Sequence, residues 1–296
     1  MQGLTITAPA KVNLFLGIGA ARPDGYHDVV SVFQTLELHD TVHLTPSDEL
    51  TLTCDADLDI PAENNLALRA ACAFSEAFEV DVFLDIAVEK RIPAGAGLAG
   101  GSSDAAAVLA GLAYWANLSL DDARLQVVAR SLGADVPFFL HGGAALMRGR
   151  GDELVTSLPY VSFDVVLVKP GLPVSTAAAY QAFDADPQPV GDWQRVADAL
   201  QSGGTVQGLG RSLSNNMTEA SISVVPAVGD ALLWMRGQAG VAGALVAGSG
   251  STVFAVCESA DAATRIARDA ARQGLWSEAT QTRPAGVTVE VEGKSS

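Results

Sequence analysis

Residues 93–103 read Pro93-Ala94-Gly95-Ala96-Gly97-Leu98-Ala99-Gly100-Gly101-Ser102-Ser103. Glycine lets a backbone approach a ligand closely, and a helix N-terminus offers free N–H groups and a positive dipole end to phosphate. The plainer reading is a tight turn between a strand and a helix. Four glycines and two serines in eleven residues exceed what a turn requires. Ala105, Val108, Leu109 and Leu112 follow at i, i+3, i+4 and i+7, so a helix is expected to open within or just after Ser102-Ser103. A branched side chain at Gly100 or Gly101 is expected to block the phosphates and to forbid a positive φ there.

Gly95, Gly97 and Gly100 also spell GxGxxG, the fingerprint of a dinucleotide-binding turn. The context contradicts it. The preceding strand alternates polar and apolar (Asp85 and Glu89 among Val82, Leu84, Ile86 and Val88), and Pro93 breaks the strand-to-turn link. A second helix stands where the acidic ribose-binding residue belongs. No GxxxxGK[ST] occurs either: Gly293-Lys294-Ser295 resembles the end of one, but Thr288 stands where its first glycine should be.

Toward the N-terminus the chain alternates with period two. Val12, Leu14, Leu16 and Ile18 share one strand face, and Lys11, Asn13 and Phe15 the other. Leu36 and Leu38, then Val42 and Leu44, alternate around His39-Asp40, which predicts a hairpin there. Leu50, Leu52 and Cys54 continue the pattern, and residues 66–79 change to helical spacing. Toward the C-terminus, Ser119 and Asp122 have the spacing of a helix N-cap box and predict a helix to about Leu132. Strands are expected near 144–156, 165–168, 243–247 and 252–256, helices near 193–201, 226–236 and 259–273, and loops at 170–173 and 184–192. Half-polar strands in succession point to an antiparallel or mixed sheet. The expected class is α+β in two lobes, 1–157 and 158–296.

Among 296 residues, 18 Lys+Arg face 34 Asp+Glu, a net charge of −16, and 49% are hydrophobic. Such a chain is no disordered polyelectrolyte. Its charge opposes nucleic-acid binding and adhesion to anionic membranes, so neither partner is expected. An anionic small substrate then requires a local positive set within the site. Cys54, Cys72 and Cys257 are odd in number and contain no CxxC, which fits a reducing compartment. The start, MQGLTITAPAK, lacks a signal-peptide pattern, and no apolar run reaches spanning length, so a soluble cytoplasmic protein is expected.

Four further windows bear on chemistry. Lys11 and Asn13 share a strand face, which for a lone lysine reads as a solvated face. Asp135 sits in Leu132-Gly-Ala-Asp-Val-Pro-Phe-Phe-Leu140, an acid beside apolar bulk, equally readable as a turn or cap residue. Gly248-Ser-Gly-Ser-Thr252 alone is an αβ connection. His39, His43 and His141 are expected to be structural, since the four histidines show no metal-ligand spacing; Phe138, Phe139 and Trp115 are expected in the core.

Together, APAKVNLFL (8–16), RPDGYH (22–27), PAGAGLAGGSSDAA (93–106), LGADVPFFL (132–140) and GSGSTVFAV (248–256) resemble the GHMP kinase superfamily, over about residues 7–275. The Lys11-x-Asn13 strand, Arg22-Pro-Asp-Gly-Tyr-His27 and Gly133-Ala-Asp-Val-Pro-Phe138 narrow it to members that phosphorylate CDP-methylerythritol on its 2-hydroxyl. The resemblance implies a two-lobed kinase using ATP and Mg²⁺, the ion riding on the ATP phosphates without a nominated protein ligand. It implies that residues 93–103 wrap those phosphates and that Asn65, Leu66 and Lys90 line the adenine pocket. Lys11 and Asp135 match the catalytic pair, with Asp135 taking the proton of the acceptor hydroxyl and Lys11 stabilising negative charge. Asn13, Tyr26, His27, Thr176 and Tyr180 fall where the family contacts its acceptor, the cytosine lying between Tyr26 and Tyr180 with His27 on its polar edge. Ala94, Ala96 and Ala99 stand where some members have Met or Gly, and Ser214-Asn215-Asn216-Met217 replaces a more usual Asn-Asp. A mevalonate- or homoserine-type kinase is the alternative. A non-catalytic ligand sensor on the same scaffold should have lost Lys11 or Asp135.

Overall fold

The computed structural model describes residues 2–56 and 60–293, so Lys294 and Ser295 lie outside the described residues. The first sheet grows from one long antiparallel hairpin of β1 (Leu4–Ala21) and β2 (His27–Pro46). Its turn is Arg22–Tyr26, closed by Arg22 N–H donating to Tyr26 O, with Gly25 at φ +82°. The hairpin expected at His39-Asp40 does not form, because β2 runs straight through. A two-residue turn would have switched the parity of the apolar face, whereas Leu36, Leu38, Val42 and Leu44 keep one parity and the buried Asp40 belongs to it.

β3 (Thr51–Cys54) lies parallel to β4 (Leu84–Glu89), which pairs antiparallel with the end of β2. β5 (Ala144–Arg148) pairs with Ser31–Gln34 of β2, and β6 (Glu153–Leu158) with β5. Helices α1 (Leu66–Phe78), α2 (Gly100–Trp115), α3 (Ala123–Leu132) and α4 (Val136–His141) pack on this sheet. Central α2 is buried from Ser103 to Ala113, which its alanine-rich sequence permits. Its start at Gly100 precedes the expected Ser102-Ser103. The cap of α3 also differs from expectation: Asp122 is the N-cap, accepting from the N–H groups of Arg124 and Leu125, while Ser119 Oγ accepts from Asp121 N–H in the turn before.

The second sheet has the order β11 (Trp276–Gln281), β7 (Asp164–Lys169), β10 (Val253–Cys257), β9 (Val241–Val246), antiparallel throughout. α5 (Thr176–Ala185), α6 (Gln194–Gln201), α7 (Val206–Ser212), α8 (Thr218–Val224), α9 (Pro226–Arg236) and α10 (Ala260–Ala271) accompany it. α5, α7, α8 and β11 are elements that the sequence patterns do not announce. α7 carries Gly208 and Gly210 and would not nucleate alone; tertiary packing and the Thr205 cap hold it. α5 also takes in 184–185, assigned to a loop from the sequence.

Two short strands reach back to the first sheet: β8 (Ser214–Asn215), parallel to β1, and β12 (Thr288–Val291), antiparallel to it. β1 thus passes through three apolar clusters in turn, with Leu4, Ile6 and Ala8 in the first, Ala10, Val12 and Leu14 in the second, and Leu16 and Ile18 in the third. No helix of the described residues is long and apolar enough to cross a membrane.

Candidate active site

β1, the loop after β4, the first turn of α2 and residues 248–249 converge on a cleft of about 490 Å³. The glycine loop forms one wall. Gly95 (φ +61°), Gly97 (φ +77°) and Ala99 (φ +58°) are left-handed, while Gly100 and Gly101 are helical. The positive φ expected at Gly100 or Gly101 therefore belongs to earlier positions. A Cβ on Gly97 would stand 2.2 Å from Ala247 O, so this glycine permits contact with the turn between β9 and β10. Ala96 O accepts from Thr252 N–H and Leu98 O from Lys11 N–H, each at 3.2 Å, which ties the loop to both sheets. At the N-cap of α2, Ala99 has no side chain to accept from the first-turn N–H groups. Those donors remain for an anion, and the dipole of a sixteen-residue helix adds to them.

The floor is a polar chain on the odd face of β1. Lys11 is 4% and Asn13 2% exposed, so the solvated face expected of a lone lysine is replaced by a buried one. Lys11 Nζ donates to Asn13 Oδ1 (2.9 Å), Asn13 Nδ2 to Ser31 Oγ (2.9 Å), and Ser31 Oγ to Phe15 O. Lys11 Nζ also lies 4.9 Å from the centre of the Phe33 ring and 3.7 Å from Asp135 Oδ2. Asp135 stands at the N-cap of α4, its carboxylate partly open to the cleft. An ammonium held by an amide, a ring and a carboxylate keeps one position, whereas a solvated lysine samples many.

Lys90 is placed differently from its neighbours in the adenine-side prediction. Asn65 caps α1 by accepting from Ala67 N–H, and Leu66 begins that helix; both line the cleft. Lys90 Nζ lies between two buried carboxylates, Asp40 Oδ2 (2.5 Å) and Asp104 Oδ2 (2.6 Å). Burial pushes the Asp104 carboxyl up to about 7 despite the lysine beside it. Burial also works against the Lys90 ammonium, but the two carboxylates outweigh it and raise its pKa. Asp40 Oδ1 accepts from Arg91 and Ile92 N–H, so this cluster clamps the approach to the glycine loop. Within the loop, Leu98 and Ser103 are fully buried behind the wall, and Ser103 Oγ has no partner among the described residues.

Thr176 and Tyr180 of α5 also line the cleft, and Thr176 Oγ1 bonds Ser249 Oγ at 3.0 Å. Burial, with Asp135 nearby, raises the Tyr180 phenol. Tyr26 and His27 lie outside the lining. Tyr26 is 53% exposed, with the Arg150 guanidinium 5.1 Å from its ring centre. His27 is buried, bonds Asp184 through Nε2 at 2.8 Å, and stands 5.1 Å from Tyr180 between ring centres.

The second glycine turn, which alone reads as an αβ connection, joins the site. Gly248 (φ +57°) comes so near that a Cβ there would stand 3.7 Å from Lys11 Nζ. Asn215 Nδ2 donates to Val246 O and Gly248 O, and Asn216 bonds both Ile18 N–H and Ile18 O. The unusual Asn215-Asn216 pair therefore braces the second glycine turn against β1. Arg150 and Asp104 were missed because a charge in a Gly-Arg-Gly turn or after two serines resembles a surface charge. Among the described residues, no three His, Cys, Asp or Glu side chains converge as metal ligands.

A free helix N-terminus behind a glycine loop, a buried lysine facing a carboxylate and a two-sheet α+β frame define a GHMP kinase. The family model for the N-terminal domain of GHMP kinases matches residues 65–143, and that for their C-terminal domain residues 191–274. The 4-diphosphocytidyl-2-C-methyl-D-erythritol kinase of Nocardia farcinica is 39% identical over 91% of this chain and 90% of its own. Its counterpart in a Synechococcus species is 37% identical over 98% and 97%. A crystal structure of 4-(cytidine 5'-diphospho)-2C-methyl-D-erythritol kinase superposes with TM-score 0.79 at 35% identity, covering 94% of this chain and 98% of that one. A homoserine kinase from Cytophaga hutchinsonii, at 21% identity and TM-score 0.73, shares the fold. The chain belongs to the 4-diphosphocytidyl-2-C-methyl-D-erythritol kinase family, and it is an ATP-dependent small-molecule kinase.

Proposed function

We propose that this enzyme transfers the γ-phosphoryl group of ATP to the 2-hydroxyl of 4-diphosphocytidyl-2-C-methyl-D-erythritol, a step in the non-mevalonate route to isoprenoid precursors. The observation that carries this reading is the Lys11–Asp135 contact at 3.7 Å on the floor of a cleft bounded by the glycine loop and by Tyr180. Phosphoryl transfer is mostly positioning and electrostatics. The α2 N–H groups and loop 93–103 bind the ATP phosphates, and Asn65, Leu66 and the backbone near Lys90 receive the adenine. Asp135 accepts the proton of the attacking hydroxyl, a contribution of roughly 10²–10⁴-fold in such reactions. Lys11, held by Asn13, stabilises charge on the transferring oxygens. Tyr26 and Tyr180 hold the cytosine, with Thr176 and His27 beside it.

Mg²⁺ prefers phosphate oxygens, water and one or two protein oxygens to an all-protein cage. The ion is taken to ride on the ATP phosphates, with the Ser102 hydroxyl of the lining available to it. It supplies neutralisation of phosphate charge when bound. Unpaired Cys54, Cys72 and Cys257 support a cytoplasmic setting. The two units of the enzyme are taken as 1–157 and 158–296, with the chain returning to the first sheet in β12. The test is ADP release with the cytidyl acceptor, mevalonate and homoserine offered separately. Turnover is expected with the cytidyl acceptor alone, and preference for either other alcohol would overturn the reading.

A further inference from the structure

The cleft lining holds three cationic side chains, and they are not equivalent. Lys90 is neutralised by two buried carboxylates, and Lys11 faces Asp135. The third is Arg150, in the turn between β5 and β6, against the ring of Tyr26, whose chain neighbour His27 stands beside Tyr180 and so marks that end of the cleft. This turn is built to hold it. Gly149 (φ +71°) and Gly151 (φ +95°) flank the arginine, and Gly149 O accepts from Val29 N–H of β2 at 2.8 Å. Asp152 accepts from Arg150 N–H (2.9 Å), Nε (3.3 Å) and Nη2 (2.9 Å) through its two oxygens. Nη1 makes no such bond to Asp152, and the Tyr26 hydroxyl adds a weaker polar contact to the guanidinium. The guanidinium also rests against the Tyr26 ring.

A fork anchored to Asp152 along one edge can offer its other edge to a second anion, since arginine binds phosphate oxygens through paired N–H groups. With the ATP phosphates at the α2 N-terminus, the anion left at this end is that of the acceptor. We propose that Arg150 binds the diphosphate of the nucleotide-bearing acceptor and so determines its preference for a nucleoside diphosphate over an uncharged nucleoside. The inference rests on the functional reading above. In a molecule of net charge −16, an attractive point at the acceptor end has to be built locally.

The test compares cytidine and CDP as competitive inhibitors against the cytidyl acceptor, in the wild type and in Arg150→Gln and Arg150→Lys. In the wild type CDP should bind the tighter. Arg150→Gln should weaken CDP by roughly ten- to hundredfold, as expected for a lost charge-assisted contact, and leave cytidine within about twofold. Arg150→Lys should recover part of the CDP affinity, and the KM for ATP should hold in both. Equal weakening of cytidine and CDP would mean that Arg150 only props Tyr26, and a shifted KM for ATP would assign it to the other nucleotide; either overturns the inference. Should Arg150→Gln melt early, the inhibitor ratio measured on Arg150→Lys decides. A wild type that ignores the cytidyl acceptor and both inhibitors would overturn the functional reading, and this inference with it.

Discussion

At the scale of single residues the proposed mechanism rests on Asp135 and Lys11, and their surroundings make the expected effects asymmetric. Asp135→Asn keeps the shape of the N-cap position and removes the proposed base. Its kcat should fall by roughly two decades or more with little change in the KM for ATP, the pattern of a group used in the transition state. Steady-state kinetics check this, and near-normal turnover would remove Asp135 from the mechanism. Lys11→Arg should fail to rescue Lys11→Ala. The ammonium sits 2.9 Å from Asn13 Oδ1, over the Phe33 ring, and a planar fork does not replace a compact ammonium in that place. The pair was recognisable in the sequence by motif, but the burial of Lys11 was not. Strand parity gives a face and says nothing of what covers it.

The glycine loop and α2 act as one element, in which neighbouring glycines do different work. Gly97 makes room for Ala247 O, so Gly97→Val should lower Tm and abolish stabilisation by ATP together. Gly101 has helical geometry, and the first atom its Cβ would meet is Leu66 Cδ1 at 3.8 Å. Gly101→Ala should therefore hold or raise Tm, because alanine is worth up to about 1 kcal/mol over glycine within a helix, while raising the KM for ATP by crowding the phosphates. Thermal unfolding with and without ATP separates the two. An unchanged KM in a stable Gly101→Ala would move the phosphates elsewhere. The density of glycine was legible in the sequence; the division of labour depends on a turn about 150 residues away, which local pattern does not encode.

For the molecule as a whole, the Lys90–Asp40–Asp104 cluster joins β2, the loop and α2, and so enters global stability. The Asp104 carboxyl is raised from its ordinary 3.8 to about 7. Between those values the unfolded chain releases this proton and the native one keeps it, so native stability falls as pH rises through the window and levels above it. Asp104→Asn mimics the protonated form and lacks this loss. Denaturant unfolding at about pH 5 and about pH 8 should show the variant gaining on the wild type at the higher pH. A gap between the two proteins that stays constant would mean that Asp104 does not titrate there.

Properties local to the chain were determined by the sequence alone: alternation in β1 and β4, the 3.6-residue repeat of α1 and α2, the glycine loop, and the ordered set of motifs that define the family. Each depends on neighbours within a few residues, where periodicity and backbone freedom act directly. Tertiary structure decided the rest. It turned Asp40 from a turn residue into a buried clamp, moved Lys11 and Asn13 from a solvated face to the floor of a cleft, and formed α7 from a glycine-containing segment. It also brought β8 and β12 back to β1, and seated Arg150 beside Tyr26. These outcomes arise from pairings between distant segments, whose free energy comes from burial and hydrogen bonding that exist after the two sheets have met. A charged residue in a polar turn carries no mark of the cavity it will face.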